Sequence, residues 1–337
     1  MEYTESLRTS AKRQDWSYPK NQIELETLFR TEQQCRDFIL ELRGGFVCRD
    51  CGHKEYWQRA KSTKYACKKC RVETSVLVGT IFEDSRVPLT TWFRAIWLMV
   101  ADKHGVSATS LERQLGIGSH KTSWTLLHKI RRAMVTPDRE KLKGEVEVDE
   151  FWLGAPVKGA VGRTKAPGKI IALIAVEVVD GKKGKMCGRV RMEVTDDTTA
   201  DTMHDFITRN IERGSHLHTD ANPSYNRMSI YGYKHTSKKG NLLPQAHRAI
   251  SQFRRFNGGT LQYSAHKEHL NEYFDEFAFR FNRKSWDRGK LFLRVLENAI
   301  KMPPTQYKAI VKHCSTRAKQ KPVKERKTIP NIFDIPF

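Results

Sequence analysis

Residues Gly144–Gly154 read GEVEVDEFWLG. Val146 and Val148 alternate with Glu145, Glu147 and Asp149, the period-two pattern of a half-buried strand. The run ends in two adjacent acids, Asp149 and Glu150, followed at once by Phe151 and Trp152. Carboxylates gathered at a strand end call for an explanation in a chain whose formal net charge is +22. A solvated surface strand is one; a site that holds cations is another.

The chain has 337 residues, room for two or three domains, and its 39% hydrophobic content supplies real cores. Its 60 Lys and Arg against 38 Asp and Glu favour a polyanionic partner, with nucleic acid ahead of a ribosomal or membrane surface. No apolar run approaches the roughly 18 residues that span a bilayer, and MEYTESLRTSAKRQDW at the start lacks the apolar stretch of a secretory signal. A cytosolic protein is expected, with no membrane partner. In that compartment clustered cysteines read as metal ligands before disulfides.

Upstream of the acidic strand, Thr31 caps a short helix, TEQQCRDFILEL, whose apolar face includes Cys35. Cys48, Cys51, Cys67 and Cys70 then form two C-x2-C knuckles separated by 15 residues. Four thiolates at that spacing complete a closed tetrahedral zinc site; a redox role needs only one pair, and a catalytic zinc needs an open position. Six Lys or Arg lie between Cys51 and Cys70, a face suited to phosphate or simply to solvent. From Pro88 to Met134 the pattern is helix, break, helix, turn at Gly116, helix. That order fits a helix-turn-helix, with Lys121 near the start of the second helix and Arg131 and Arg132 at its end as DNA contacts, or a plain three-helix packing module.

Beyond Gly144 the order is α/β. IIALIAVEVV and GRVRMEVT read as strands, DDTTADTMHDFITRNI as a capped helix, and SHLHTD as a short strand ending at Asp220. From Lys301 to Phe337, nine Lys or Arg stand against Glu325 and Asp334, the composition of an extended basic arm. Asp149 and Asp220 meet only if their strands are neighbours in one sheet. Two carboxylates so placed suit Mg²⁺ or Mn²⁺ acting on phosphodiesters. Taken singly, Asp149 also reads as an edge-strand acid and Asp220 as an Asx-turn residue.

The cysteine pairs, the helical segment, EVEVDEFWLG, HTDANPSY, LLPQAHRAISQFRRFNGGT and HLNEYFDEFAFRFNRK occur here in one order. Over roughly residues 25–300 this resembles the bacterial insertion-sequence transposases of the DDE class, with an N-terminal zinc ribbon and an ISXO-like catalytic domain. The resemblance implies an RNase H-like catalytic domain preceded by a zinc ribbon and a helix-turn-helix, with Asp149 and Asp220 as the first two ligands of catalytic Mg²⁺ or Mn²⁺. In DDE enzymes the third ligand is a helical Glu followed seven residues later by Lys or Arg; in the branch this chain resembles, Asn or His can replace that Glu. Here His247 has Arg254 seven residues on and lies 27 residues after Asp220 (247 − 220), shorter than the usual thirty-odd. The resemblance therefore points to Asp149, Asp220 and His247, supported by Glu150 and Arg254, with Glu276 as the rival ligand.

A nitrogen ligand in that set favours Mn²⁺ over Mg²⁺. The implied organisation is an N-terminal segment with zinc ribbon (1–82), a helix-turn-helix (83–143), the catalytic domain (144–300) and the basic tail (301–337). The implied partners are terminal inverted repeats, target DNA and further copies of the chain in a nucleoid-associated synaptic complex. Two other readings stay open: a transposase-derived DNA-binding regulator that no longer cuts, and a zinc-ribbon RNA-binding protein.

Overall fold

The alternation of GEVEVDEFWLG becomes a strand from Glu145 to Leu153, and its two faces go different ways. Val146 and Val148 join one apolar cluster, while Phe151 and Leu153 join another. The protein, seen in a computed structural model, is described over residues 18–58, 63–136, 139–154, 169–237, 243–262 and 266–312. The Gly/Lys-rich loop after Gly154, Arg59 and Lys61 of the basic ribbon face, and the basic arm beyond residue 312 lie outside these residues.

In chain order the elements begin with α1 (Gln22–Leu28) and α2 (Glu32–Leu42), then the short strands β1 (Tyr56–Trp57), β2 (Tyr65–Cys67) and β3 (Glu73–Thr74). Next come α3 (Leu89–Ala101), α4 (Ala108–Leu115) and α5 (His120–Ala133). Thr31 caps α2 as expected, and Gln34 completes a reciprocal capping box with it. Glu32 then serves a second helix: its carboxylate accepts from the backbone N–H groups of Leu89 and Thr90 at 3.0 and 2.8 Å, capping α3, which has no side-chain cap of its own. Gly116 ends α4 in the left-handed region at φ 63°, which a residue bearing a Cβ adopts only with strain.

The second sheet holds β4 (Glu145–Leu153), β5 (Ile170–Gly181), β6 (Gly184–Thr195), β7 (His216–Thr219) and β8 (Lys234–Ser237) in the order β6-β5-β4-β7-β8. The first three strands are antiparallel neighbours; β7 runs parallel to β4, and β8 parallel to β7. An antiparallel meander extended by two parallel strands is the RNase H-like arrangement. Helix α6 (Ala200–Asn210) makes the crossover from β6 to β7, burying Met203, Phe206 and Ile207 on the Val146/Val148 face. Helices α7 (Pro244–Phe256) and α8 (Leu270–Phe281) cover the other face through Phe253, Phe274 and Phe277. Covered on both faces, β5 carries the near-continuous apolar run IIALIAV.

Two placements differ from the sequence reading. Helix α9 (Arg288–Ala299), expected within the catalytic domain, packs Phe292, Val295 and Leu296 into the N-terminal core beside Phe29, Phe93 and Trp97. The ribbon is also no separate unit, because Cys48, Tyr65 and Cys67 belong to that same core. Helix α10 (Tyr307–Val311) follows, at the start of the stretch read as an extended arm. Among the described residues no helix is long and apolar enough to cross a membrane.

Candidate active site

Parallel pairing aligns Glu145 with His216, Val146 with Leu217 and Glu147 with His218, an offset of 71 residues (216 − 145). The ladder stops at that pair, and two residues further on Asp149 lies mid-strand in β4 while Asp220 follows the end of β7, near enough for the two charges to interact. Asp220 also accepts the Asn222 backbone N–H at 3.0 Å, so its Asx-turn and its place beside Asp149 coexist. The third side chain arrives from α7: His247 Nε2 lies 3.1 Å from Asp149 Oδ2.

What sets α7 at that height is Glu147, which sequence reasoning passed over. Pro244 opens the helix without an N–H, and Glu147 Oε2 accepts the next two backbone N–H groups, of Gln245 and Ala246, at 2.8 Å each. A carboxylate at a helix N-terminus satisfies two orphan donors and meets the positive end of the dipole. Glu147 and Asp149 share one face of β4, so the same alternation that caps the helix places Asp149 against its first turn. The signal was present in that alternation, but its meaning needed the packing of α7.

Glu150 points the other way, as a neighbour on a strand must. It accepts from the buried Tyr225 hydroxyl and from Asn222 Nδ2, each at 3.2 Å, tying the strand end to the turn after Asp220. Burial pushes the Asp149 carboxyl up to about 6; the negative charges of Glu150 and Asp220 add to the rise, while His247 opposes it. Burial likewise holds the Tyr225 phenol well above its ordinary value, with Glu150 reinforcing the effect, so it stays a neutral donor. A buried acid pushed up among other acids is a site in need of positive charge, and its donor set of two carboxylates and one imidazole fits a divalent cation.

An open cleft of about 260 Å³ lies beside Asp149 and His247, lined also by Glu150, Trp152, Ser251 and Arg254 among others. Arg254 is exposed on the same helical face as His247, two turns further on, reaching the Trp152 carbonyl at 3.5 Å. Glu276, the rival ligand, is engaged elsewhere. Its Oε2 pairs with Arg131 Nε at 2.8 Å, both side chains are 1% exposed, and Arg280 stands 3.6 Å from the other oxygen. The pair links α8 to α5.

That pair also corrects the assignment of Arg131 as a DNA contact. Its guanidinium is sealed inside the protein, 4.4 Å from the Tyr273 ring centre. Position 131 adjoins Ile130 and follows Leu127 by one turn, so it continues the buried face of α5. Lys121 is exposed near the start of α5, its ammonium 4.1 Å from the Tyr307 ring centre, and Arg132 is half-buried.

The four cysteine sulfurs converge separately: Cys48–Cys70, Cys51–Cys70 and Cys51–Cys67 lie 3.4, 3.5 and 3.6 Å apart. Tetrahedral zinc with Zn–S of about 2.3 Å needs sulfurs about 3.8 Å apart, close to this arrangement. Cys67 ends β2 of the three-stranded antiparallel sheet, and the other three cysteines lie outside its strands.

Residues 141–282 match the ISXO2-like transposase domain family. Asp149, Asp220, His247 and Arg254 all fall within the matched stretch. An uncharacterised protein of the transposable element ISH50 of Halobacterium salinarum is 29% identical over 136 residues, 39% of this chain and 45% of that protein. The match thus spans less than half of the relative's length. Among solved structures, the chain is similar to a simian T-cell lymphotropic virus intasome in complex with PP2A regulatory subunit B56 gamma, at 11% identity and TM-score 0.25 over 51% of this chain and 61% of that one. A pre-cleavage Mos1 transpososome gives 12% identity and TM-score 0.25 over 61% and 78%.

Proposed function

We propose that this protein is an insertion-sequence transposase that binds the terminal inverted repeats of its element and catalyses metal-dependent strand cleavage followed by 3′-OH strand transfer. The observation that supports the reading is His247 Nε2 3.1 Å from a buried Asp149 whose charge also interacts with that of Asp220, just beyond the neighbouring strand β7. Asp149, Asp220 and His247 would hold one or two divalent cations, Mg²⁺ or Mn²⁺. Bound there, the cations would activate a water or a 3′-hydroxyl and neutralise charge on the attacking and leaving oxygens.

The protein's own groups have separable roles. Glu147 fixes the first turn of α7 and with it the imidazole. Glu150, at the cleft wall, is held by Tyr225 and Asn222 and ties β4 to the turn after Asp220. Arg254, exposed at the rim, is placed to meet a backbone phosphate. No Ser or Tyr nucleophile is invoked, because the freed 3′-hydroxyl is itself the second nucleophile.

DNA recognition is assigned to the N-terminal half. Cys48, Cys51, Cys67 and Cys70 would bind a structural zinc. Helices α4 and α5, joined through Gly116, would act as a helix-turn-helix with Lys121 and Arg132 at phosphates. Joining two element ends calls for at least two copies of the chain.

The test is nicking of a supercoiled plasmid bearing the terminal repeats, with and without divalent metal. The reading expects metal-dependent nicking by the wild type and none by Asp149→Ala. Binding to the repeats without nicking under either metal would instead make the protein a non-catalytic regulator.

A further inference from the structure

The strand SHLHTD ends at Asp220, but its two histidines take no part in the proposed chemistry. His216 and His218 alternate onto one face of β7, with ring centres 4.4 Å apart. Parallel pairing sets Glu145 of β4 opposite His216. Glu145 Oε1 is 3.2 Å from His216 Nδ1, and its other oxygen contacts His218 Nε2 directly. One carboxylate oxygen and two imidazole nitrogens therefore converge, all within 4.8 Å of one another.

The geometry points to a second transition-metal site here, in which Glu145, His216 and His218 bind a zinc-class divalent ion. Two imidazoles and a carboxylate form a three-ligand zinc set that leaves a fourth position to water. The side chains are 43%, 31% and 18% exposed, so that position faces solvent. Tetrahedral zinc at about 2.0–2.1 Å from its ligands sets neighbouring donors about 3.3 Å apart, and the Glu145–His216 spacing is 3.2 Å.

The surroundings orient the donors. His216 Nε2 lies 2.7 Å from Thr236 Oγ1 on β8, a partner for its N–H that leaves the Nδ1 lone pair for the ion. His218 Nδ1 is buried without a hydrogen-bond partner among the described residues, so Nε2 is the working nitrogen of that ring. Glu147, whose charge interacts with His218, lies further along the same face and adds negative potential.

The site is distinct from the one built on Asp149. Four strand positions at about 3.3 Å each separate Glu145 from Asp149, about 13 Å along β4. A metal bound here would tie β4 to β7 at one end of their pairing, and Asp149 and Asp220 stand at the other.

The test loads the full-length, zinc-containing protein with excess Zn²⁺, removes free metal by desalting, and counts zinc by elemental analysis. A second equivalent beyond that of the cysteine cluster is expected in the wild type. His216→Ala and His218→Ala should each lose that second equivalent and keep the first, whereas Asp149→Asn should keep both. Co²⁺ loading gives a readout independent of refolding losses. The cysteine site shows intense thiolate-to-metal absorption, and the second site adds only weak d–d bands, which His216→Gln should remove while the thiolate absorption stays. A single equivalent in the wild type, or a second one that survives the double histidine variant, would overturn the site. So would loss of the second equivalent in Asp149→Asn, which would place the ion at the Asp149 cleft.

Discussion

Changing Glu276 to Gln separates a structural strut from a catalytic ligand. In the protein its carboxylate lies 2.8 Å from Arg131 Nε, with both side chains 1% exposed. At an effective dielectric of about 20, that attraction is about 6 kcal/mol. A glutamine oxygen in the same place still accepts a hydrogen bond from a charged donor, worth about 1.5–3 kcal/mol. The net loss is then about 3–4.5 kcal/mol, in the range of about 3–5 kcal/mol found when one partner of a buried pair is removed. Since whole domains are stable by about 5–15 kcal/mol, urea denaturation should show a large fall in the midpoint for Glu276→Gln. Replacing both partners by apolar residues, Arg131→Met with Glu276→Leu, should recover the part due to Arg131, while Arg280, 3.6 Å from the same carboxylate, still loses its counter-charge. An unchanged urea midpoint together with abolished DNA cleavage would refute the strut and make Glu276 the third metal ligand.

Other outcomes follow from single contacts. Cys67→Ser should release the zinc of the ribbon and, because Cys67 lies in the shared N-terminal core, loosen α2 and α3 as well; full zinc occupancy by elemental analysis would contradict this. Lys121→Ala should weaken binding to all DNA sequences and lower the slope of log K against log salt by about one unit, and an unchanged slope would remove Lys121 from the interface. Glu147→Ala should cost about 1–2 kcal/mol as a lost helix cap, measured by urea denaturation, and should slow cleavage by freeing the first turn of α7. A stability loss with no change in cleavage rate would show that Glu147 does not position His247.

Much of this architecture is written locally. Thr31 and Gln34, three residues apart, specify their capping box, and the cysteine spacing brings four sulfurs together without knowledge of anything else. The alternation in GEVEVDEFWLG gives the strand and its two faces. What stays hidden depends on partners far along the chain. Arg131 reads as a basic residue at a helix end, and only Glu276, 145 positions away, turns it inward. Strand β8, Lys234–Ser237, is polar and short at the sheet edge, with no apolar alternation to announce it. Glu145, Glu147 and Asp149 look equivalent in sequence. The parallel pairing of β4 with β7 and the placement of α7 give them three different neighbours: two histidines, a helix N-terminus and His247. The apolar stripe of α9 marks a buried face without saying which core it joins.

The central claim is that His247 completes a metal site with Asp149 and Asp220. It is tested most directly by single-turnover cleavage of a pre-nicked terminal-repeat duplex in Mn²⁺, with protein in saturating excess so that DNA affinity drops out of the rate. The account predicts that His247→Ala loses most of the cleavage rate while still binding the duplex, and that His247→Glu keeps part of it with preference shifted towards Mg²⁺. A wild-type single-turnover rate in His247→Ala would contradict it.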